Sequence, residues 1–345
     1  MSERLTNILG YLTLVAILAA IWVMFGEDPS REQGGRGEAT FEGLSERIND
    51  AAGIAITQGK ATTHLNRVGN DWFVIERDGY KADRMAVTDF LRGLALSERR
   101  EPKTANEERF DKLGLGDGEA LVIKVLDGDD RTLAEFLMGT RKDSPNGRSL
   151  TYIFQDHDTR AWLVSGLADT SAKPAWWLDN SVLDIAENRF ARIAFPKVAI
   201  VRELGESKYT LEGLKDGEAA EADWQLRDPA RVLSNLSADD VRRLANPITD
   251  PVATVTADTY DGLRLTATLY QFDGATWAQL KADYSSERAG EGKGGMLPDA
   301  PMDGEGEAAS ISERTHGWLF KLSDYDAKVL MRKRADFLKS GKTED

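Results

Sequence analysis

The sequence has no cysteine, and histidine is almost as scarce, with only His64, His157 and His316 in 345 residues. The lack of cysteine excludes disulfides, thiolate nucleophiles and cysteine-ligated metals, so the fold must depend on packing alone. The three histidines are isolated in sequence, and no two of them have the spacing of metal ligands. No catalytic, cofactor-binding or metal-binding residue is therefore predicted.

Positive charge is also in deficit, because 44 Lys and Arg residues stand against 58 Asp and Glu residues. The formal net charge of -14 argues against nucleic acid as a partner, since phosphates are neutralised by clustered Lys and Arg. With 41% hydrophobic and 30% charged residues, the chain is not disordered. Its length leaves room for one large domain or two ordinary ones.

The motifs of familiar enzymes are missing as well: there is no GxSxG elbow, no HExxH helix and no Walker spacing. The glycine-rich segment 114–118 follows a predicted helix, so we interpret it as a cap and turn. The sharpest local cluster is Asp156-His157-Asp158, but adjacent strand residues point to opposite faces. We interpret it as a polar turn between two strands, while a site assembled from distant residues stays open.

One long apolar run is present, from Ile8 to Phe25, and no second run of this length follows. Extended back to Leu5, a helix of this length crosses a hydrocarbon core of roughly 30 Å. Tyr11 and Trp22 lie near its ends, where aromatic rings favour the membrane interface. A cleaved signal peptide is the alternative, but the run continues well past the small residues at 19–20, which favours a retained helix.

The chain is predicted to divide into four parts: a tail and transmembrane helix (1–26), a flexible tether (27–40), and two α+β subdomains (41–190 and 191–345). Residues 287–312 are rich in Gly, Glu, Asp and Pro, and predict a mobile loop. The charges flanking the apolar run do not decide its orientation. The short N-terminal tail and the acidic pair after the run favour an N-in, C-out topology.

Short alternating runs predict strands in the first half, and helical periodicity predicts helices at Met85–Leu96 and Glu107–Leu113. The predicted strands are Ile54–Ile56, Thr62–Val68, Trp72–Ile75, Leu121–Leu126, Leu133–Met138, Tyr152–Phe154 and Trp162–Val164. Strands in runs with interspersed helices favour an α+β fold over a doubly wound parallel sheet.

A similar order of segments recurs downstream, which predicts two similar β-rich subdomains that meet near residue 190. In this alignment Trp72 corresponds to Trp224, and a helix at Ala230–Ala245 follows. The strands predicted after that helix are Val252–Ala257, Leu263–Phe272 and Ala275–Ala282.

Two features are candidates for partner contacts. The paired indoles of Trp176 and Trp177 suit either core packing or an exposed interface anchor. A predicted amphipathic helix at Tyr325–Leu338 carries a basic face. This face is either a solvated surface or a patch for an acidic partner or lipid headgroups, and its residues are Lys328, Arg332, Lys333 and Arg334.

The segment Asp71–Leu115 resembles the domain of unknown function 4340 family. That family pairs a Trp-containing strand and a Gly-Tyr/Pro-Ala-Asp turn with a helix and an LGL segment. The matching residues in this chain are Trp72, Gly79, Tyr80, Ala82, Asp83, Val87, Leu91, Leu94, Leu113, Gly114 and Leu115. The segments WWLDNSVLDI and GWLFKLSDYDAKVLMRKRADFL are also similar, while the Gly/Glu-rich insertion departs from the pattern.

The resemblance implies an extracytoplasmic protein anchored in the bacterial inner membrane, with its C-terminal region in the periplasm or extracytoplasmic space. It also implies an accessory role beside the permease and ATPase subunits of a gliding-motility-type ABC transporter, without known catalytic residues. Two alternatives remain open. One is an extracytoplasmic module that binds a lipid, glycan or peptide, and the other is an envelope hydrolase with an unfamiliar site.

Overall fold

The computed structural model describes residues 35–143, 149–244, 248–289 and 299–339. The predicted transmembrane helix, with Tyr11 and Trp22, lies outside the described residues, as does the predicted tether up to residue 34. Within the described ranges, no helix combines the length and the apolar character needed to cross a membrane. Two large antiparallel sheets and several helices make up these ranges, which confirms the α+β class.

Strands and α-helices are numbered separately, each in chain order. The strands are β1 (Ala51–Gln58), β2 (Ala61–Val68), β3 (Asp71–Val74), β4 (Tyr80–Lys81), β5 (Glu98–Pro102), β6 (Leu121–Asp127), β7 (Thr132–Asp143), β8 (Ser149–Phe154), β9 (Trp162–Ser165), β10 (Phe190–Phe195), β11 (Val198–Val201), β12 (Thr210–Leu211), β13 (Asp240–Arg243), β14 (Ala253–Thr259), β15 (Leu263–Phe272), β16 (Ala275–Tyr284) and β17 (Trp318–Lys321). The α-helices are α1 (Leu44–Arg47), α2 (Arg84–Ala95), α3 (Asp223–Ser234), α4 (Ser286–Ala289), α5 (Gly304–Thr315) and α6 (Asp324–Leu330). Short 3-10 helices occupy Ile48–Asp50, Ile75–Arg77, Glu107–Leu113, Pro174–Trp177, Glu187–Arg189 and Arg334–Phe337.

Contacts group the chain into two compact units. The first holds the described residues up to Arg67 together with Met85–Ala172, and the second holds Val68–Arg84 together with the described residues from Lys173 onward. The predicted boundary near residue 190 differs from this division. Local hydrogen bonding explains why the β3–β4 hairpin belongs to the second unit, since the backbone N–H of Asp83 donates to the carbonyl of Trp177 at 2.7 Å.

Strands of the first unit pair antiparallel in the order β2-β1-β6-β7-β8-β9-β5. Each strand predicted in this unit is present, and alternation explains why: Ile54 and Ile56 are buried, while the residues between and after them are partly exposed. The predicted turn after β6 is also present. The carboxylate of Asp127 closes this turn by accepting the backbone N–H groups of Asp129 and Arg131, both at 2.9 Å.

The two helices predicted in the first unit occur close to their expected bounds. Helix α2 buries Val87, Phe90 and Leu94 on one face. The segment Glu107–Leu113 is a 3-10 helix rather than an α-helix, and it ends at Gly114, whose φ of 68° lies in the left-handed region that glycine tolerates.

Part of the predicted tether is packed structure. The backbone N–H of Gly37 donates to the carbonyl of Arg99, and the N–H of Arg99 donates to the carbonyl of Glu38, at 2.8 and 3.0 Å. The N–H of Thr40 also bonds to the carbonyl of Ser97. Residues 37–40 therefore line the outer edge of β5 and use backbone groups that an edge strand otherwise leaves open. The packed region starts before the predicted Phe41.

The sheet of the second unit has the strand order β12-β11-β10-β14-β15-β16-β17-β13. The three strands predicted downstream correspond to β14, β15 and β16, but the helix predicted at Ala230–Ala245 is wrong. Helix α3 starts at Asp223 and buries Leu226, Ala230 and Leu233, spaced four and three residues apart. It ends at Asn235, which has non-helical angles. Trp224 therefore lies on a helix while Trp72 lies on β3, so the predicted correspondence of these residues is also wrong.

Most of the described part of the segment predicted as a mobile loop, 287–312, is helical, because α5 begins at Gly304 and runs past its end to Thr315. Residues 290–298 of that segment lie outside the described ranges. Asp303 caps the helix by accepting the N–H of Gly306 at 2.8 Å, and Ala308, Ile311 and Thr315 form its buried stripe. A low content of large apolar residues concealed this short stripe in the sequence.

A buried ion triad joins α5 to the 3-10 helix Glu187–Arg189, directly before β10. The side chain of Arg189 is only 3% exposed and donates to the carboxylates of Asp261 and Glu307, with shortest distances of 2.7 and 2.6 Å. Burial acts to lower the pKa of Arg189, but the hydrogen bonds and charges of Glu307 and Asp261 outweigh it and raise the pKa above its usual value. The guanidinium thus stays charged, donates hydrogen bonds to both carboxylates and offsets one of their two negative charges.

We expect Arg189→Met to lower the free energy of unfolding of the full chain by about 3 to 5 kcal/mol, because it leaves two carboxylates inside without a cation. Urea unfolding followed by circular dichroism measures this loss. Arg192→Met, three residues later on β10, is the matched control, because Arg192 pairs with Glu212 at the surface and its loss should cost under about 1 kcal/mol. Equal losses for the two variants would contradict a structural role for the triad.

Candidate functional site

The second unit contains an open cleft of about 830 Å³, which we call the Trp224 cleft. Three elements form it: the first turns of α3, the hairpin end between β15 and β16, and α6 with the turn that follows. Its lining residues are Trp224, Gln225, Asp228, Gln271, Gly274, Ala275, Thr276, Asp324, Tyr325, Ala327, Lys328, Val329, Met331, Arg332 and Asp336.

A proline inside α3 determines how two walls of the cleft are joined. Pro229 has no N–H, so the carbonyl of Gln225 one turn earlier loses its helical donor. The guanidinium of Arg332 takes that place and donates to this carbonyl at 2.7 Å. A second nitrogen of Arg332 donates to the carboxylate of Asp228 at 2.9 Å. One side chain from the turn after α6 therefore satisfies two acceptors on α3.

The floor of the cleft is the carboxylate of Asp228, a residue that is only 4% exposed. Besides Arg332, it interacts with the hydroxyl of Tyr325. Desolvation, and then the charge of Asp228 and a hydrogen bond to it, raise the pKa of Tyr325 above its usual value. Asp228 is thus an acceptor engaged with two donors, which disfavours a role as a free general base.

Aromatic rings flank this floor. Trp224 is 62% exposed and Tyr325 is 57% exposed, both high values for large aromatic side chains. Trp224 and Asp228 are four residues apart on α3, and Tyr325 and Lys328 are three residues apart on α6. At these helical spacings each pair lies on one face of its helix, which brings both pairs to the same cleft.

The predicted basic face divides into two kinds of residue. The helix predicted at Tyr325–Leu338 is not continuous, because α6 ends at Leu330 and a separate 3-10 helix begins at Arg334. Arg332 and Arg334 form ion pairs inside the unit, Arg334 with Glu218. Lys328 and Lys333 are exposed. Lys333 and Arg334 line a second groove of about 420 Å³.

The paired indoles have different environments. Trp177 is fully buried, whereas Trp176 is 41% exposed and packs edge-on against Trp177 with ring centroids 4.6 Å apart. The core interpretation therefore fits Trp177, while Trp176 offers surface to a partner.

The three histidines lie on different elements: His64 on β2, His157 in the turn between β8 and β9, and His316 directly after α5. The predicted turn at residues 156–158 is present, and Asp158 there pairs with Arg99 at 2.9 Å. Among the residues that the structure describes, no group of three or more His, Asp or Glu residues is placed to hold a metal ion.

Comparison with protein families gives one match. The model of the family described as "Domain of unknown function (DUF4340)" matches residues 72–259, more than half of the chain. The chain belongs to this family. No curated protein and no solved structure matches it. The DUF4340 match includes Trp224, Gln225 and Asp228, whereas the hairpin end and α6 lie beyond it.

Sequence analysis identified Lys328 and Arg332 but missed Trp224, Asp228 and Tyr325. One feature of the sequence, Pro229, indicates that this part of α3 contacts a distant segment. Pro229 interrupts an otherwise helical stretch, so the carbonyl four residues earlier needs a donor from elsewhere in the chain. That signal does not name Arg332 as the donor.

We expect Arg332→Met to lower the free energy of unfolding by about 3 kcal/mol, since Asp228 would stay buried without its cation and the Gln225 carbonyl without its donor. Urea unfolding of the full chain measures this. Lys328→Met, in the same cleft but exposed, is the control and should change stability by under about 0.5 kcal/mol. Similar values for both would contradict the proposed role of Arg332.

A double-mutant cycle tests the proline step separately. In the Arg332→Met background, Pro229→Ala supplies an N–H to the Gln225 carbonyl and should recover about 1 kcal/mol more than it contributes in the wild-type chain. A gain of the same size in both backgrounds would show that Arg332 does not substitute for the missing helical donor.

Proposed function

We propose that this DUF4340 protein is a non-enzymatic accessory subunit of a gliding-motility-type ABC transporter. In this proposal the N-terminal apolar run anchors it in the bacterial inner membrane as a single pass, and its folded units lie outside the cytoplasm. The permease and ATPase subunits are its partners, and the second unit binds a partner or cargo.

The observation that carries the binding role is the Trp224 cleft. An exposed tryptophan at the edge of a cleft supplies a large apolar surface that is buried only when something docks there. The acidic group at its floor is occupied by internal donors, which supports recognition over catalysis. Trp176 and Lys333 supply further exposed contacts, and they lie outside this cleft.

The same cleft favours a second candidate function, an extracytoplasmic ligand-binding module for a lipid, glycan or peptide that acts without a transporter. Binding clefts typically combine aromatic walls with a few placed polar groups, as this cleft does. The two candidates differ in whether transporter subunits accompany the protein in its membrane.

We further infer that the two sheets are copies of one ancestral unit. The order β2-β1-β6-β7-β8-β9-β5 corresponds strand by strand to β11-β10-β14-β15-β16-β17-β13, and α2 corresponds to α3. A bulge interrupts the pairing at the start of both β1 and β10. The neighbouring strands in the two sheets, β6 and β14, end at Asp127 and Thr259. In each case the side chain of this last residue accepts the backbone N–H of the residue four positions later.

Affinity purification of the full-length protein from its native membrane, followed by mass spectrometry, tests the transporter role. We expect permease and ATPase subunits with the full-length chain and not with a variant that lacks Met1 to Phe25, because the contact is expected within the membrane. Recovery of neither subunit from the full-length sample would overturn the accessory role and favour the ligand-binding module.

A further inference from the structure

We infer that the Trp224 cleft binds a neutral carbohydrate chain, with one sugar ring stacked on the indole of Trp224. This inference rests on the proposed function only in taking the cleft as the binding site of the second unit. The C–H groups on one face of a pyranose ring form a flat apolar surface, and a tryptophan face exposed to water is its usual protein counterpart. Trp224 presents such a ring, and Tyr325 presents a second one in the same cleft.

The charges of the cleft disfavour an anionic ligand. Its most buried cation, Arg332, is neutralised by Asp228 at 2.9 Å. Lys328 remains, but Asp324 and Asp336 line the same cleft and outnumber it. A phosphate or carboxylate would therefore meet no net positive field. More than half of the lining residues carry polar side chains, which also disfavours an acyl chain.

The uncharged polar groups suit hydroxyls. Gln225, Gln271 and Thr276 line the cleft, and amides and hydroxyls both donate to and accept from a sugar hydroxyl. The side-chain oxygen of Gln225 is a buried acceptor without a hydrogen-bond partner among the described residues. A hydroxyl that enters beside it supplies the donor this oxygen lacks, whereas a phosphate dianion or a carboxylate has no donor to offer.

Strand pairing disfavours an extended peptide. A peptide that adds to a sheet needs a strand with open backbone groups. At the cleft, β15 and β16 pair with each other through Gln271 and Thr276, and the carbonyl of Thr276 also accepts the N–H of Leu322. On its other side β15 is paired with β14 as far as Leu269, so only the short edge from Tyr270 to Phe272 is open. Recognition in this cleft must come from side chains, as a sugar ring requires.

The test is isothermal titration of the full chain in phospholipid nanodiscs, since maltoside detergents would themselves present sugar. The probes are the β-1,4-linked tetramers of glucose and of N-acetylglucosamine, with a proline-rich decapeptide and inorganic phosphate as competing classes. We expect one of the tetramers to bind and Trp224→Ala to weaken its binding at least tenfold. Trp224→Phe should weaken it only a few-fold, because a smaller aromatic face remains.

Trp176→Ala is the matched control, because Trp176 is an exposed indole of the same unit that does not line the cleft. It should leave sugar affinity unchanged. Gln225→Leu should weaken sugar binding without lowering the unfolding temperature, since the oxygen that it removes has no hydrogen-bond partner among the described residues. This separates recognition from loss of folding.

Three results would overturn the inference: no binding of either tetramer, equal binding by Trp224→Ala, or Trp224-dependent binding of the peptide or phosphate instead. The transporter role is tested apart from this, by recovery of permease and ATPase with Trp224→Ala. Recovery of the subunits without sugar binding defeats only the carbohydrate inference. Sugar binding without recovery of the subunits defeats only the transporter role.

Discussion

The guanidinium of Arg332 is the contact on which the candidate site depends. The proline inside α3 leaves one backbone carbonyl without its helical N–H donor, and the buried carboxylate of Asp228 on the same helix needs a positive charge beside it. Arg332 satisfies both groups at once, at 2.7 and 2.9 Å, from a turn that lies more than one hundred residues later in the chain. The exposed rings of Trp224 and Tyr325 line the same cleft as this contact, which ties together the two helices that carry them.

How far the sequence predicts this fold depends on the range of the interactions. Alternation over a few residues is local information, and it located ten of the seventeen described strands, including the long ones at the centre of both sheets. Basic residues are equally visible in sequence, but their partners are not. Arg332 and Arg334 therefore looked like a solvated or partner-binding face, although both form internal ion pairs. Helix α5 was missed for a similar reason. It has few apolar residues to pack, and part of its attachment is the ion pair between Glu307 and Arg189, which lies more than one hundred residues earlier in the sequence.

The two sheets show what is common and what is added. Strand order, the bulge and the capped turn recur in both, so the cleft cannot arise from this shared framework alone. Two of its three walls, α3 and the β15–β16 hairpin, have counterparts in the first unit. The third wall, α6, follows β17, whereas the chain after β9 has no such helix among the described residues. Among the described residues, α6 is thus the one wall of the candidate site that the first unit does not match.

The segment that lies along β5 has a consequence for the proposed membrane-anchored form. Because residues 37–40 are fixed by backbone hydrogen bonds, only residues 26–34 separate the proposed anchor from the packed region in the sequence. About ten residues, even fully extended, reach no further than roughly 35 Å. In the proposed membrane-anchored form Gly35 would then lie within roughly 35 Å of the end of the anchor, and contacts of the first unit with a membrane partner would form at a high effective concentration.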